Sequence, residues 1–151
     1  MLDILTPLSK LTRVSRSIYD MSTFVAKPGI WGKIQSDGSI DLVAAGVRPA
    51  VAKLIINSAS SNIYESQDVE VGRIATLESP GARCKVDTEG YDGVIAQADN
   101  LYVSSTAGSE GKLKTLPGAG GVFTIVARAE QVDMVAGWII YETVSPRKVT
   151  V

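Results

Sequence analysis

Few side chains in this sequence are of types that carry out chemistry, and they are scattered. The chain has 151 residues, no histidine and a single cysteine, Cys84. Without histidine, Ser-His and Cys-His nucleophile pairs and all histidine-based zinc sites are excluded. The neighbouring cations Arg83 and Lys85 would favour a thiolate, but neighbours in a strand point to the opposite face. We therefore expect Cys84 to be a small buried apolar side chain and not a nucleophile.

Two pairs of carboxylates have a spacing that could bring them together. Asp68 with Glu70, and Asp87 with Glu89, are two residues apart, which on a strand places both groups on one face. Such a pair could hold a hard cation or act as acid and base, but two carboxylates alone supply no geometry for either task. The spacing favours a solvated strand face.

The glycine-rich and basic stretches also lack the context of a binding site. Neither Gly108–Gly111 nor Gly118–Gly121 precedes a helix, so both are predicted turns and not phosphate-binding loops. Lys112 and Lys114 share one strand face, but the other basic residues are scattered and the net charge is −1. We expect no catalysis, no cofactor or metal, no small-molecule substrate and no nucleic-acid partner.

The elements that must carry these residues are short strands separated by turns. From Ile30 onward, apolar runs alternate with Gly, Ser, Asp and Pro, and Asp37-Gly38 marks a tight hairpin. Residues 58–66 are a predicted loop, and Gly72 permits a bulge. The pattern predicts a mainly β protein with a single compact β-sandwich or β-barrel domain. The predicted strands are 30–34, 40–43, 51–57, 69–77, 83–88, 94–98, 101–105, 112–116, 122–129 and 134–144, with 147–151 an edge strand or a tail.

The first 29 residues differ from the rest. From Pro7 onward, apolar residues recur at steps of three and four, but Ser and Thr lower the helix propensity, and Pro28-Gly29 closes the segment. We interpret 1–29 as an N-terminal arm and 30–151 as the β-domain. The arm is either a short helix or an extended strip whose apolar side needs another surface, or else a helix packed on its own domain. The candidate partner-binding residues are Leu2, Ile4, Leu5, Leu8, Leu11, Arg13, Val14, Arg16 and Ile18.

Charge is unevenly distributed, which bears on partners. Residues 1–33 hold five cations and two anions, whereas residues 34–80 hold three cations and six anions. Such an asymmetry would attract neighbouring copies. No apolar run reaches the roughly 18 residues that span a bilayer, and the early Asp3 argues against a cleaved signal. The expectation is a protein made in a cytoplasm, with no membrane partner.

The second half of the chain resembles a known family. Asp99–Gly108 (DNLYVSSTAG), Gly111-Lys-Leu-Lys and Gly121–Val126 are followed by the closing strand Trp138-Ile-Ile-Tyr. This order is similar to the C-terminal half of capsid decoration (cement) proteins of tailed bacteriophages, with their phrase G-D-x-L-Y-V-S-x-x-G-x-L. The resemblance covers about residues 65–145, including the turns in Asp68–Gly72 and Asp87–Gly90. Ala98 stands where the family has glycine.

The resemblance implies a structural role. A member of this family is a compact β-domain, assembled as a trimer or dimer, that sits on the outside of a capsid shell. It binds the major capsid protein, bridges coat subunits and stabilises the virion, without catalysis or cofactor. The open alternatives are a tail or baseplate component, a carbohydrate-binding β-sandwich with exposed Trp31 or Trp138, and an enzyme that uses only carboxylates.

Overall fold

The computed structural model describes residues 1–24, 27–56 and 73–151, and within them nearly all regular structure is strand. The predicted loop 58–66, the Asp68/Glu70 pair and the bulge at Gly72 lie outside the described residues. One 3-10 turn spans Leu8–Lys10. The strands are β1 (Leu2–Ile4), β2 (Arg13–Ser17), β3 (Trp31–Ile34), β4 (Ile40–Asp41), β5 (Ala52–Ile55), β6 (Arg73–Leu77), β7 (Arg83–Asp87), β8 (Asn100–Val103), β9 (Leu113–Thr115), β10 (Val122–Asp133) and β11 (Trp138–Thr150).

These strands form two antiparallel sheets. The first sheet has the order β1-β7-β11-β10-β8-β9 and the second the order β2-β6-β5-β3-β4. Among the described residues neither sheet closes on itself, and the two pack together as a sandwich. The prediction of a mainly β protein with a compact sandwich is confirmed. None of the described residues belongs to a helix long and apolar enough to cross a membrane.

The main core fills the space between the two sheets. Along β7, Cys84 and Val86 are fully buried while the residues between and beside them are more exposed, as alternation on a strand requires. Tyr141 of β11 lies opposite Cys84 and is also fully buried. The second sheet contributes Leu54 and Leu77 to the same cluster. Side chains from both sheets therefore share one core.

The outer face of the second sheet holds a smaller apolar cluster. Ile40, Ile55 and Ile74 are fully buried there, and Ile18 and Phe24 pack over them. Apolar side chains are therefore buried on both faces of this sheet, which explains why the consecutive residues Leu54 and Ile55 of β5 are both apolar and both fully buried.

The hairpin around Asp37-Gly38 is confirmed. Ile34 pairs with Ile40, and Gly38 has a φ of +85°, a left-handed conformation that glycine adopts without strain. The Asp37 carboxylate accepts hydrogen bonds from the Ser39 amide at 2.9 Å and from its hydroxyl at 2.6 Å. The turn is fixed by its own residues, so its sequence alone predicts it.

The predicted strand 94–98 is wrong. Val94 is 84% exposed, Ala98 has a φ of +72°, and the Asp99 carboxylate accepts a hydrogen bond from the Ala96 amide at 2.9 Å. These are the features of a turn that follows an extended stretch. Ile95 is the single buried side chain of this stretch. Together with Val94 it gives the sequence an apolar pattern that resembles a strand, although residues 94–98 form none.

The last hairpin is longer and starts later than predicted. Residues 134–137 form its turn and not the start of a strand, because the Asp133 carboxylate accepts hydrogen bonds from the amides of Val135 and Ala136. After a register shift between Thr143 and Arg147, β11 continues to Thr150. The predicted edge strand at 147–151 is thus the end of β11.

Candidate functional site

The N-terminal segment, defined here as residues 1–18, supplies the outermost strand of each sheet. β1 pairs with β7 at one end of the first sheet, and β2 pairs with β6 at one end of the second. Because β6 and β7 follow each other in the chain, both pairings are made with one stretch, residues 73–87, which we call the acceptor ribbon. The extended alternative for this part of the predicted arm is the one that the structure adopts.

Hydrogen bonds continue between the two pairings, around the side of the sandwich. The Leu5 amide donates to the Arg83 carbonyl at 2.9 Å, and the Arg83 amide donates to the Thr6 hydroxyl at 2.8 Å. Farther along, the Glu78 amide donates to the Thr12 carbonyl at 2.9 Å, and the Thr12 amide donates to the Ser79 hydroxyl. The N-terminal segment is therefore attached to the acceptor ribbon along most of its length.

Several of the apolar candidate residues pack against the rest of the protein, whereas Leu5 is exposed. Leu2, Ile4 and Leu11 are partly buried and pack against the main core, and Ile18 packs on the smaller cluster. Leu5, by contrast, is 45% exposed. Val14 is half-buried in β2, and Leu8 lies in the 3-10 turn. Most of the apolar side of the segment is thus covered by the same chain.

Arg16 binds the second sheet through a largely buried network. Its guanidinium donates to the Gly38 carbonyl at 2.9 Å and to the Thr76 hydroxyl at 3.1 Å, and it lies 2.6 Å from the Glu78 carboxylate. Lys53 contacts the other oxygen of Glu78 at 2.8 Å. The three charged side chains are only 16 to 20% exposed. Arg13, the other basic candidate, is exposed at the start of β2.

Glu78 is held as an anion by this arrangement. Burial opposes its ionisation, but hydrogen bonds and charge from Lys53 and Arg16 outweigh burial, so the pKa of the carboxyl is lowered. The network links the neighbouring strands β2, β6 and β5. Its members are far apart in the sequence, which is why no local pattern indicated them.

The outer edge of β2 is blocked by its own chain. In an antiparallel pair of strands, hydrogen-bonded residue pairs alternate with pairs whose backbone groups point outward. Thr12 accepts a hydrogen bond from the Glu78 amide just beyond β6, and Val14 accepts one from the Thr76 hydroxyl. The backbone groups of Ser15, which lies opposite Ala75, therefore point away from β6. Arg73 occupies the Ser15 carbonyl at 2.7 Å and its hydroxyl at 3.0 Å. A foreign strand would have to displace this arginine in order to pair there.

The thiol predicted to be unreactive is confirmed as buried. Cys84 has no exposed surface, and burial raises its pKa to about 12, with a smaller opposing effect from the Tyr141 hydroxyl. A thiol with so high a pKa is not a nucleophile at neutral pH. Trp31 is also buried, at 4% exposure, in the same cluster.

The remaining charged candidates are used in local contacts. β7 ends at Asp87, so Glu89 lies in the turn beyond it, and both carboxylates contact the Met1 amino group, at 3.2 and 3.6 Å. Lys112 donates to the Thr88 carbonyl at 2.9 Å, and Lys114 pairs with Asp92 at 2.9 Å. Within the described part of the chain, no three acidic or cysteine side chains are grouped to hold a metal ion.

A cluster that the sequence did not indicate joins two distant loops. The Arg48 guanidinium lies 3.9 Å from the Phe123 ring centroid and donates to the carbonyls of Val122 and Gly120. Tyr102 meets Phe123 edge-on, with ring centroids 4.8 Å apart. Because carbonyl oxygens of the same chain occupy the arginine, the cluster fastens the loops and does not offer a free charge.

Comparison of the chain with models of protein families, with curated proteins and with solved structures found no match.

Proposed function

We propose that this protein is a structural component of a virion that binds the outside of a phage capsid shell and stabilises it by bridging subunits of the major capsid protein. The observation that carries the proposal is that one segment forms the edge of both sheets along one side of the sandwich. Leu5 projects from it as an exposed apolar side chain. A side of this kind can bind a repeating surface, where many weak contacts act together through high effective concentration.

The resemblance to decoration proteins supports the same conclusion. Its central phrase corresponds to β8 and β9, which pair with each other at Leu101–Thr115, Tyr102–Lys114 and Val103–Leu113. These strands lie at the far edge of the first sheet from β1. The family-like part is therefore scaffold, and the part proposed to bind the coat is the N-terminal segment.

The carbohydrate-binding alternative has less support. It requires exposed aromatic rings, but Trp31 is buried and one face of Trp138 is covered by the Lys85 ammonium group, 4.6 Å from the ring centroid. A sugar that stacks on that face would have to displace this lysine.

The test is binding of the purified full-length protein to capsid shells assembled without it. Leu5→Glu places a charge on the proposed contact without touching the core, and Val47→Glu is the matched control, because Val47 is an apolar side chain of similar exposure, 52%, on another loop. We expect co-sedimentation with the shells that is weakened at least tenfold by Leu5→Glu and unchanged by Val47→Glu. Absence of binding, or recovery of the protein in tail fractions, would refute the proposal.

Deletion of the arm is a poorer experiment than a point substitution. Removing residues 1–27 would strip one strand from each sheet and remove Leu2, Ile4 and Leu11 from the core. Loss of binding by such a protein would be confounded with loss of folding.

A further inference from the structure

The N-terminal segment can leave the fold without breaking any other pairing. β1 and β2 are terminal in the strand order of their sheets, and beyond β2 the segment makes an isolated parallel bridge between Ile18 and Ile40 of β4. The strands β7-β11-β10-β8-β9 and β6-β5-β3-β4 stay paired when the segment departs. The segment is therefore a separable unit that completes both sheets at once.

The surface that the N-terminal segment covers must be covered again when the segment departs, and its contacts are specific for the sequence of this segment. Departure uncovers the edge of the acceptor ribbon and the core positions filled by Leu2, Ile4 and Leu11. It also leaves Glu78 with one cation in place of two. A generic strand would supply backbone hydrogen bonds, but only the same segment supplies Arg16 in register with Gly38, Thr76 and Glu78.

The linker to the rest of the domain is long enough for the segment to reach a neighbour. Ten residues, 19–28, separate the segment from Gly29, whose amide is anchored on the Ile55 carbonyl at 2.9 Å. When extended they span about 35 Å. Tyr19 and Met21, which lie in this linker, are 60% and 58% exposed. Extension of the linker would release the hydrogen bond from the Tyr19 amide to the Ile40 carbonyl and the packing of Phe24 on the smaller apolar cluster.

From these observations we propose that the N-terminal segment is exchanged between copies, so that residues 1–18 of one molecule complete the two sheets of another. The exchanged contacts are the same as those within one chain, so exchange has a low energetic cost and is favoured by high concentration. Simple addition of a strand to β2 is disfavoured, because Arg73 occupies that edge. Exchange concerns the protein in solution and is independent of whether it binds a capsid.

The native cysteine provides the test. Ile4 lies opposite Cys84 in β1 and β7, and the adjacent pair, Leu5 with Arg83, carries the backbone hydrogen bond. Ile4 and Cys84 therefore form a non-hydrogen-bonded pair, with the close spacing that a cross-strand disulfide needs. In Ile4→Cys the new thiol bonds Cys84 of whichever molecule holds the segment.

The Ile4→Cys variant and the unmodified protein are each oxidised at high and at low protein concentration. The products are then compared on a non-reducing denaturing gel. We expect disulfide-linked dimers, or closed trimers, in Ile4→Cys that disappear on reduction, and no linkage in the unmodified protein because Cys84 is buried. An internal disulfide at all concentrations, with the mass of one chain, would overturn the proposal.

A second pair guards against a folding defect. Ser15→Cys with Ala75→Cys, in a Cys84→Ala background, tests the other sheet, since Ser15 and Ala75 are also a facing pair. Exchange predicts linkage between molecules in both variants, whereas linkage only within one molecule in this second variant would refute it. Neither result depends on capsid binding, so failure of the capsid proposal would be recognised separately.

Discussion

Replacing Glu78 by glutamine should destabilise the protein far more than the loss of an ordinary surface charge. Glu78 accepts hydrogen bonds from Arg16 at 2.6 Å and from Lys53 at 2.8 Å. Glutamine has a similar shape but no charge, so both cations would face each other without an anion. They could move toward solvent only in part, since each is about four-fifths buried.

The size of the effect follows from this partial burial. Exposed ion pairs contribute about 0 to 1 kcal/mol, whereas breaking a fully buried pair costs about 3 to 5 kcal/mol. For side chains that are 16 to 20% exposed, we expect a loss of about 2 kcal/mol in the free energy of unfolding, between these limits. In a domain of this size, that corresponds to a decrease in Tm of about 4 to 8 °C.

The loss should also depend on pH in one direction. Burial opposes the ionisation of Glu78. The neighbouring cations Lys53 and Arg16 favour it more strongly, so the pKa of Glu78 is lowered below its ordinary value of 4.5. The folded state therefore binds a proton less readily than the unfolded state, and the stabilisation is complete above that value. It decreases as the pH falls through the lowered pKa, so the difference between the native protein and Glu78→Gln should shrink toward zero in acid.

The measurement is urea unfolding of both proteins between pH 7 and pH 2.5. Glu89→Gln is the control, because Glu89 is 79% exposed and lies 3.6 Å from its cationic partner. We expect that change to cost at most about 0.5 kcal/mol. Equal effects of the two substitutions, or a Glu78→Gln effect that persists unchanged in acid, would refute the reasoning.

Two further predictions concern the core and a turn. Cys84 should react with a thiol reagent such as DTNB only as fast as the protein unfolds, because it is fully buried and its pKa is raised to about 12; rapid labelling of the native protein would contradict this. Gly111→Ala should lower the free energy of unfolding by about 3 kcal/mol or more, because a Cβ there would lie 2.7 Å from the Trp31 carbonyl oxygen. Gly93 has nearly the same positive φ but lies in open space, so Gly93→Ala should lower it by only about 1 to 2 kcal/mol. Thermal unfolding of the two glycine variants measures these losses of stability. Equal losses would show that the backbone conformation, and not the space around the Cβ, decides the cost.

The parts of the fold that could be predicted from the sequence are those fixed by near neighbours. Asp37 and Ser39 close their own turn, and the alternation around Cys84 reports the two faces of β7. Val94 and Ile95 show the limit of such patterns, because a turn can bury one apolar residue and expose the next. The local pattern of apolar residues does not distinguish that turn from a strand.

The charged network could not be predicted because it depends on register over long distances. Arg16 and Glu78 are 62 positions apart and meet only because β2 pairs with β6 as it does. A shift of one residue would turn Arg16 to the other face of the sheet. Composition showed that residues 1–33 are basic and residues 34–80 acidic, but not which charges would meet.

The N-terminal segment shows why the sequence leaves its partner open. Its apolar residues do need a covering surface, and Leu2, Ile4 and Leu11 obtain it from the core of a sandwich whose acceptor ribbon begins more than fifty residues later. The same surface exists on every copy of the chain. Since the contacts are identical within and between molecules, the residue pattern specifies what covers the segment but not whose molecule provides it. Linker length and protein concentration decide that choice, so the disulfide experiment and not a stability measurement is the one that resolves it.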